Sequence, residues 1–550
     1  MKGHLLAAPI SVALPLAMVG ALLVIVACTP REGRSAAGVD RAGVASLPDA
    51  PASVYPPPET VRSFDLLTPG WHSFVWTGPS TTEPSTALGC IADDYAIAYR
   101  LASNQTYQQY VPGRTDLSNM GAVAKYESLW VLITADGARC QGMPVHSPQE
   151  ARRLNLRRVK SWAYQIQGLE EEGAIDALAD SDYELVVTEP VRSVKGAEGF
   201  DTAGMVARLH QEGKLVLTYL DIGEAEDYRA YWGDDWVAPS ADQPGEPDFL
   251  ITVDPDGWSG NYPVAFWDER WKDIVIRGEN SLIDMVLDDG FDGVYLDWIE
   301  AYQDENVAAA AARLGIDPAH EMVAFIQEIA EHGRGRSQSF LVIPQNAAEL
   351  AQEVPEYLDI IDGLGQEDLS FGGAADTDWG DPMSGDIPTA PDEQEYLLEL
   401  FDLYLGAGLP IFCIDYAINQ PNVQAAYATA SDAGCLGYVT QTPLSRLTQT
   451  PPLSPPLPPR PPARDLDLSP AGWHSLVWTG PSGTDPATAL ACIDGSYAVA
   501  YRWLDSTHTF QRWVPGRPDI SDMDTLSKYD SLLVLITDSS VQCVGMPIEP

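Results

Sequence analysis

The chain has 550 residues, of which 79 are acidic and 32 are basic, so its formal net charge is −47 at pH 7. Counted along the sequence, residues 151–450 carry about −39 of that charge. A field of this sign repels nucleic acid and anionic lipid and attracts cationic partners, so the composition excludes a nucleic-acid-binding protein. Acidity of this kind is also typical of proteins adapted for solubility or high salt, and both interpretations stay open here.

The N-terminus has the pattern of a bacterial secretory signal. A charged start at Lys2 is followed by a long apolar run that ends in small residues before Cys28. A cysteine at this point resembles the lipobox of bacterial lipoproteins, whose thiol is acylated. We therefore expect residues 1–27 to be a signal peptide and Cys28 to anchor the protein to the extracellular face of the cell membrane, or the protein to be secreted. A single transmembrane anchor formed by the same run is the alternative.

An internal repeat flanks the middle of the chain. The segment Gly70–Pro79 returns with a single change, Phe74 to Leu476, as Gly472–Pro481. Short β-type runs separated by Gly, Pro and Asp surround both copies. We predict two small, mostly-β modules, at residues 63–146 and 464–547.

Six cysteines follow Cys28, and none of them has metal-ligand spacing. They are Cys90, Cys140, Cys413, Cys435, Cys492 and Cys543. Each module contains a matching pair, so we expect the disulfides Cys90–Cys140 and Cys492–Cys543 in an oxidising compartment. The other two cysteines are either a third disulfide or buried thiols.

Aromatic residues of the modules have two interpretations. Trp71, Trp76, Tyr107 and Tyr110 either stack on sugar rings or fill the core of a small domain. The exchange of Trp130 for a leucine in the second copy fits core packing better than a shared stacking platform. The modules are therefore either structural spacers or glycan-binding units.

Two linkers separate the modules from their neighbours. Residues 28–62 are rich in Ala, Ser and Pro, and residues 449–463 contain a run of prolines. Such segments favour polyproline II and act as semi-rigid spacers. The linkers leave residues 151–448 as one large domain.

The large domain has the length and the strand–helix alternation of a (β/α)8 barrel. The predicted fold class is therefore α/β, a TIM barrel flanked by two small β-rich modules. The predicted strands cover residues 161–167, 184–188, 215–220, 248–253 or 264–267, 292–296, 339–343, 358–361 and 411–414. Helical periodicity is clearest at residues 283–288 and 322–332.

Polar side chains follow most of these predicted strands. They are Gln165, Gln167, Glu189, Asp221, Glu224, Glu226, Asp268, Asp297, Asn346, Glu367 and Asp415. A carboxylate after one strand is often only a helix N-cap or a turn residue. The carboxyl ends of parallel strands, however, meet at one rim of a barrel, where enzymes on this fold place their working groups. We therefore predict that these side chains form one site.

Five ordered blocks carry a family resemblance. They are Trp162–Gly168, Tyr219–Arg229, Trp258–Tyr262 with Phe266–Asp268, Gly290–Asp297 with Glu300–Tyr302, and Ile343–Asn346. Together they resemble glycoside hydrolase family 114, the endo-α-1,4-polygalactosaminidase family, over roughly residues 157–445. The resemblance implies a barrel that cleaves a galactosamine-containing polysaccharide, and a cationic amino-sugar polymer suits the acidic charge. We expect a monomer with no cofactor and no metal.

The resemblance also implies a pair of catalytic carboxylates. Asp297 is the candidate nucleophile or transition-state stabiliser, and Glu367 is the candidate acid/base. Glu189 departs from the aspartate expected at its position. Retention or inversion of the anomeric configuration depends on the gap between Asp297 and Glu367. The candidate substrate-binding residues are Asp221, Glu224, Tyr164, Gln165, Trp258, Asn346, Asp268 and Asp415.

Two other functions fit parts of the same pattern. One is a surface lipoprotein that binds glycan without cleaving it and uses its two modules as co-binders. The other is a carbohydrate-active enzyme of another specificity, such as a deacetylase or a lyase. A deacetylase would need a His/Asp metal set, and the eight histidines form no such cluster in the sequence.

Overall fold

The computed structural model describes residues 61–240, 243–278, 280–448 and 463–549. The predicted signal peptide, Cys28 and most of both linkers lie outside these ranges. Within these ranges, no helix is both long and apolar enough to cross a membrane. The central region and each flanking repeat have separate hydrophobic cores.

The first repeat is a small β structure. Its strands and helix are β1 (Val61–Leu66), β2 (Gly70–Trp76), α1 (Pro84–Ala87), β3 (Tyr95–Leu101), β4 (Tyr107–Tyr110), β5 (Glu127–Ile133) and β6 (Ala138–Pro144). Four strands form an antiparallel sheet in the order β2-β5-β3-β4, and β1 pairs with β6. A disulfide joins Cys90 to Cys140, as the sequence predicted.

Helices and strands alternate through the central region. Its first half contains α2 (Pro148–Arg157), β7 (Trp162–Tyr164), α3 (Ala174–Ala179), β8 (Leu185–Thr188), α4 (Thr202–Gln211), β9 (Leu215–Asp221), β10 (Glu224–Glu226), β11 (Asn261–Pro263), α5 (Glu269–Lys272), α6 (Leu282–Asp289) and β12 (Gly293–Asp297). Its second half contains α7 (Glu305–Leu314), α8 (Pro318–Arg336), β13 (Leu341–Pro344), α9 (Leu350–Glu353), α10 (Tyr357–Ile360), β14 (Leu364–Glu367), β15 (Phe371–Gly372), β16 (Ile387–Pro388), α11 (Pro391–Gly406), β17 (Ile411–Tyr416), α12 (Gln420–Asp432) and β18 (Leu436–Thr440).

The central region contains two parallel sheets. One has the strand order β13-β12-β9-β8-β7, and the other has the order β14-β17-β18. A parallel bridge between Gln345 and Gly365 links β13 to β14. At the opposite edges, the Trp162 indole of β7 donates a hydrogen bond of 2.7 Å to the backbone oxygen of Leu436 in β18. The carboxyl ends of these strands therefore lie on one side of the fold.

Two strand predictions were wrong, and the short strands β10, β11, β15 and β16 were not predicted. Neither candidate for the fourth strand, 248–253 or 264–267, is a strand, and β12 pairs directly with β9 instead. The apolar residues 358–361 belong mainly to helix α10, and the strand is β14, whose Gly and Gln give it little β-propensity. The last strand, β18, was not predicted. The predicted helical segments 283–288 and 322–332 lie within α6 and α8.

Local signals fix the helix and the strand that position Asp297. The Ser281 hydroxyl accepts a hydrogen bond from the Asp284 amide and caps the start of α6. Gly290, with φ of 85°, ends the helix in the left-handed conformation that glycine adopts without strain. The next strand is buried through Leu296, as expected for a strand covered on both faces. Asp297 is the first side chain beyond that buried run.

The second repeat has the same plan as the first. Its strands and helix are β19 (Ala463–Asp467), β20 (Gly472–Val477), α13 (Pro486–Ala489), β21 (Tyr497–Leu504), β22 (Thr509–Trp513), β23 (Ser531–Ile536) and β24 (Gln542–Pro547). A disulfide joins Cys492 to Cys543, as predicted, and a third one joins Cys413 to Cys435 in the central region.

The sheets of the two repeats pack against each other. The Trp130 ring lies 5.3 Å from Trp503 and 5.8 Å from Phe510 between ring centroids. The hydroxyls of Ser128 and Ser531, equivalent residues of the two copies, share a hydrogen bond of 2.7 Å. Trp130, for which the sequence favoured packing in the module core, lies instead between the repeats and is not part of the core of the first repeat. We refer to this contact as the repeat clasp.

Candidate active site

A cavity of about 880 Å³ lies at the carboxyl ends of the parallel strands. The residues that line it come from β7, β9, β10, β11, β12, β14 and β17 and from loops that lie between the strands and the helices. Positions that are far apart in the chain therefore meet at one rim. Seven of the ten predicted catalytic and substrate-binding residues are among them, namely Tyr164, Asp221, Glu224, Trp258, Asp297, Asn346 and Glu367. Gln167, Glu189 and Glu226, which were also predicted at this site, line the cavity too.

One amide bridges the two candidate catalytic carboxylates. Gln345 Nε2 donates to Asp297 Oδ1 at 2.6 Å and to Glu367 Oε2 at 2.8 Å. Because both bonds share one nitrogen, the two oxygens cannot be farther apart than the sum of these distances, which is 5.4 Å. Gln345 belongs to the family block Ile343–Asn346, but no signal in the sequence predicted a role for it. Its position after β13, between β12 and β14, makes it the link of the pair.

Asp297 is held by the strand beside it. The Tyr219 hydroxyl of β9 donates to Asp297 Oδ2 at 2.8 Å. Burial raises the pKa of Asp297, while the hydrogen bonds from Tyr219, from the Trp298 backbone and from Gln345 act in the opposite direction. These donors favour the ionised carboxylate, which is the form that a nucleophile needs.

Glu367 is held in a different environment. Asn346 Nδ2 donates to Glu367 Oε2 at 3.1 Å, and the Tyr416 hydroxyl donates to Glu367 Oε1. Burial and then the charge of Asp297 raise the pKa of Glu367 to about 7, against the effect of these two hydrogen bonds. A carboxyl with this pKa keeps a proton near neutral pH, as a general acid must.

The backbone turns sharply after the three strands that carry this pair and its bridging amide. Trp298, Asn346 and Asp368 follow β12, β13 and β14, and their φ angles are 55°, 60° and 56°. The left-handed conformation costs a residue other than glycine about 1–2 kcal/mol. Such strain is concentrated at functional sites, where surrounding contacts maintain it.

A third carboxyl, Glu300, lies beside the pair and was not predicted as a site residue. It lines the cavity, and its pKa is raised well above the usual range by burial and by the charge of Asp297. Its Oε2 atom is buried and has no hydrogen-bond partner within the described ranges. The resemblance contained this position only as part of a block, so no separate signal singled it out.

Asp221 and Glu224 lie in the turn from β9 to β10. Asp221 Oδ1 accepts hydrogen bonds from the amides of Gly223 and Glu224, at 3.1 and 2.8 Å. A side chain at Gly223 would lie 2.1 Å from the backbone oxygen of Trp298, so only glycine fits this close approach. The turn thereby places Glu224 on the cavity wall next to the end of β12.

Glu189, the departure from the family pattern, belongs to an ion-pair network. Arg229 Nη1 lies 2.7 Å from Glu189 Oε1, and Arg229 Nε lies 2.6 Å from Glu226 Oε2. Arg229 is buried, and its charge is matched by these two carboxylates. The network supports one wall of the cavity.

Three predicted substrate-binding residues have other contacts and are not among the residues that line the cavity. Asp268 caps α5 and forms an ion pair with Arg270 at 2.7 Å. Asp415 accepts hydrogen bonds from the amides of residues 370 and 371, and Gln165 donates to backbone oxygens of residues 167 and 445. These contacts hold the three side chains outside the cavity lining, and their role in substrate binding stays a prediction.

No group of three or more His, Cys, Asp or Glu side chains in the described part of the chain is arranged to hold a metal ion. The cavity instead combines carboxylates, amides and tyrosine hydroxyls. This set can transfer protons and stabilise positive charge, which are the requirements of a reaction with a cationic transition state.

Comparisons with known proteins identify relatives of the central region. Residues 145–453 match the model of glycoside-hydrolase family GH114. An uncharacterized protein of Deinococcus radiodurans is 35% identical over 307 residues, which cover 56% of this chain and 87% of that protein. An uncharacterized protein of Methanocaldococcus jannaschii is 34% identical over 299 residues, covering 51% of this chain and 75% of that protein.

Two solved structures are also similar to the central region. The glycoside hydrolase domain of PelA from Pseudomonas aeruginosa has a TM-score of 0.39 and 16% identity, covering 52% of this chain and 97% of that one. Ega3 of Aspergillus fumigatus, solved in complex with galactosamine, has a TM-score of 0.36 and 16% identity, covering 52% of this chain and 93% of that one.

Proposed function

The chain belongs to glycoside-hydrolase family GH114, and from this premise we propose that it is an extracellular, endo-acting enzyme that cleaves α-1,4-linked, galactosamine-containing polysaccharide. Membership of the family makes it a glycoside hydrolase with a polysaccharide substrate. The observation that carries the proposal is the Asp297–Glu367 pair joined by Gln345.

In the proposed reaction, Asp297 acts as the ionised nucleophile and Glu367 as the protonated acid. Glu367 donates its proton to the leaving glycosidic oxygen while Asp297 bonds to the anomeric carbon, giving a glycosyl-enzyme. Glu367, now ionised, then removes a proton from water, which displaces Asp297. Carboxyl groups about 5–5.5 Å apart are typical of retaining enzymes. The upper limit of 5.4 Å between the two oxygens supports retention.

The proposed scaffold is a closed (β/α)8 barrel. The hydrogen bond from Trp162 to Leu436 supports closure, and so does the bond of 3.1 Å from the Ile166 amide to the Leu444 oxygen. Closure joins the β7 edge of one sheet to the β18 edge of the other. Enzymes with this scaffold carry their active sites at the rim where this cavity lies.

The charge of the cavity supports a cationic sugar polymer as substrate. Acidic side chains dominate its lining, and Arg229 is the one basic residue among the described lining residues. That arginine is already paired with Glu226 and Glu189. Trp258 is 36% exposed at the edge of the cavity, where an indole can stack on a sugar ring. A negative cleft raises the encounter rate with a cationic chain in a salt-dependent way.

The proposed location follows from the sequence of the first 28 residues. A lipid on Cys28 would hold the enzyme at the extracellular face of the membrane, with residues 28–62 as the tether. Labelling with a radioactive fatty acid, compared with the Cys28→Ser variant, tests this part independently of activity. Equal labelling of both chains would contradict the anchor.

The test of the proposed function is release of oligosaccharides from an α-1,4-linked galactosamine polymer by the purified full chain. We expect Asp297→Asn and Glu367→Gln to lose at least about 100-fold in rate, because each removes a group required in the transition state. The matched controls are Asp248→Asn and Glu395→Gln, since both side chains are exposed. Absence of products from the wild type, or equal losses in the control variants, would refute the proposal.

A further inference from the structure

Two neighbouring amides hold oxygen atoms of the catalytic pair. Gln345 Nε2 donates to Asp297 Oδ1 at 2.6 Å and to Glu367 Oε2 at 2.8 Å, and Asn346 Nδ2 donates to the same Glu367 oxygen at 3.1 Å. The backbone amide of Glu367 donates to Asn346 Oδ1 at 2.9 Å, so the NH2 end of Asn346 is the end that faces Oε2. We refer to Gln345 and Asn346 as the amide clamp.

The amide clamp determines which oxygen of Glu367 carries the acidic proton. An amide nitrogen donates hydrogen bonds and does not accept them. Oε2 faces two such nitrogens, so a proton on that oxygen would point at a group that cannot receive it. Oε1 contacts the Tyr416 hydroxyl, which can accept a hydrogen bond as well as donate one. The proton of the acid form therefore lies on Oε1, and the ionised form accepts a hydrogen bond from Tyr416 at the same atom.

Gln345 also contacts both ends of the charge transfer in the proposed reaction. The negative charge lies on Asp297 before the glycosidic bond breaks. It moves to Glu367 when Asp297 bonds to the anomeric carbon and the Oε1 proton passes to the leaving oxygen, and it returns when water gives a proton to Oε1 and displaces Asp297. The Gln345 nitrogen donates to both carboxyls, so a donor is in place for either position of the charge. A donor that is positioned in advance lowers the barrier, because it does not have to reorient.

We propose that Gln345 is a positioning residue that stabilises the negative charge on each carboxyl in turn and, together with Asn346, confines the acidic proton to Glu367 Oε1. This inference rests on the proposed function and adds to it a group that acts through both catalytic residues. A neutral amide suits the role, because a lysine or arginine would favour ionisation of the acid and a carboxyl would add a third negative charge. Gln345 is 2% exposed, and hydrogen bonds in such a site are stronger than in water.

The first test measures the pH dependence of kcat and kcat/KM for Gln345→Met in the full chain. Methionine keeps roughly the length and volume of glutamine but has no N–H group. Each carboxyl then loses a donor that favours its ionised form, so we expect both limbs of the pH–rate profile to move to higher pH by roughly 1 unit. We expect kcat to fall by about 10–100-fold while KM changes by less than about threefold. Gln327→Met, at an exposed glutamine that contacts Glu331 on α8, should move neither limb.

The outcomes of this test separate the inference from the proposed function. If the wild type releases no oligosaccharide, the proposed function fails. If the wild type is active and Gln345→Met moves neither limb, or only one, Gln345 does not serve both carboxyls and the inference is overturned.

The second test needs no substrate. Urea unfolding of the wild type and of Gln345→Met is compared at about pH 5 and at about pH 8.5, on either side of the Glu367 pKa of about 7 that burial produces. The hydrogen bond from Gln345 lowers the pKa of Glu367 in the folded state, so its contribution to stability is present at the higher pH and is lost as the pH falls through that value. We expect the substitution to raise the unfolding equilibrium constant at least about fivefold more at the higher pH. Equal increases at both pH values would overturn the inference.

Discussion

Two tyrosine hydroxyls provide a test of which carboxyl is the acid and which is the nucleophile. Tyr416 donates to Glu367, and Tyr219 donates to Asp297 at 2.8 Å. Each hydrogen bond stabilises the ionised form of its carboxyl and so lowers its pKa. Replacing either tyrosine with phenylalanine should raise the pKa of one carboxyl while leaving both carboxyls in place.

The expected change in the pKa follows from the strength of one hydrogen bond to a charged group. Such a bond contributes about 1.5–3 kcal/mol, and one pKa unit corresponds to about 1.4 kcal/mol. Tyr416→Phe should therefore raise the pKa of Glu367 from about 7 by roughly 1–2 units. The acid must be protonated, so the basic limb of the pH–rate profile moves to higher pH. Asp297 must be ionised, so Tyr219→Phe moves the acidic limb to higher pH.

The assay is kcat/KM for release of reducing ends across the pH range, with the same polymer for every variant. The amino groups of the substrate titrate identically in all measurements, so differences between variants report the enzyme. Tyr396→Phe is the control, because Tyr396 is 45% exposed on α11 and should move neither limb. Movement of the acidic limb by Tyr416→Phe would reverse the assigned roles. No movement with either variant would refute the acid and nucleophile assignment.

Three further predictions concern the buried network, the third disulfide and the stereochemistry. Arg229→Met should lower the free energy of unfolding, measured by urea denaturation, by about 3–5 kcal/mol, because Glu226 loses its buried cation; a loss below about 1 kcal/mol contradicts this. Replacing Cys413 and Cys435 together with serine should cost about 3 kcal/mol by the same measurement, since the bridge closes a loop of about 22 residues; unchanged stability argues against the bridge. Proton NMR of the first products should show the α-anomer, whereas the β-anomer would contradict retention.

The sequence predicted strands well where a parallel strand is a continuous apolar run. β9 and β12 are of this kind, and both end in the predicted carboxylates. Prediction failed where local composition conflicts with burial. β14 contains a glycine and a glutamine, while the more apolar residues just before it form α10. Tertiary pairing with β17, rather than local propensity, makes β14 a strand.

The candidate site, too, contains residues that the sequence predicts and residues that it does not. Asp297 and Glu367 were predicted because each ends a strand and matches a position of the family. Gln345 and Tyr416 were not predicted as partners, because a contact between neighbouring strand ends depends on the order of strands in the sheet. Asp268 shows why the pattern is ambiguous, because an aspartate after an apolar run also caps a helix, as Asp268 does for α5.

The repeat clasp has a consequence for the order of events during synthesis. The first repeat is complete about 400 residues before the second, an interval of roughly 20–80 s at about 5–20 residues per second. Its own core includes Phe74 and Leu129 but not Trp130. The first repeat thus folds with that indole uncovered, and only a finished chain supplies Trp503 to cover it. A chain that stops early displays an aromatic surface, which marks it for chaperones and proteases.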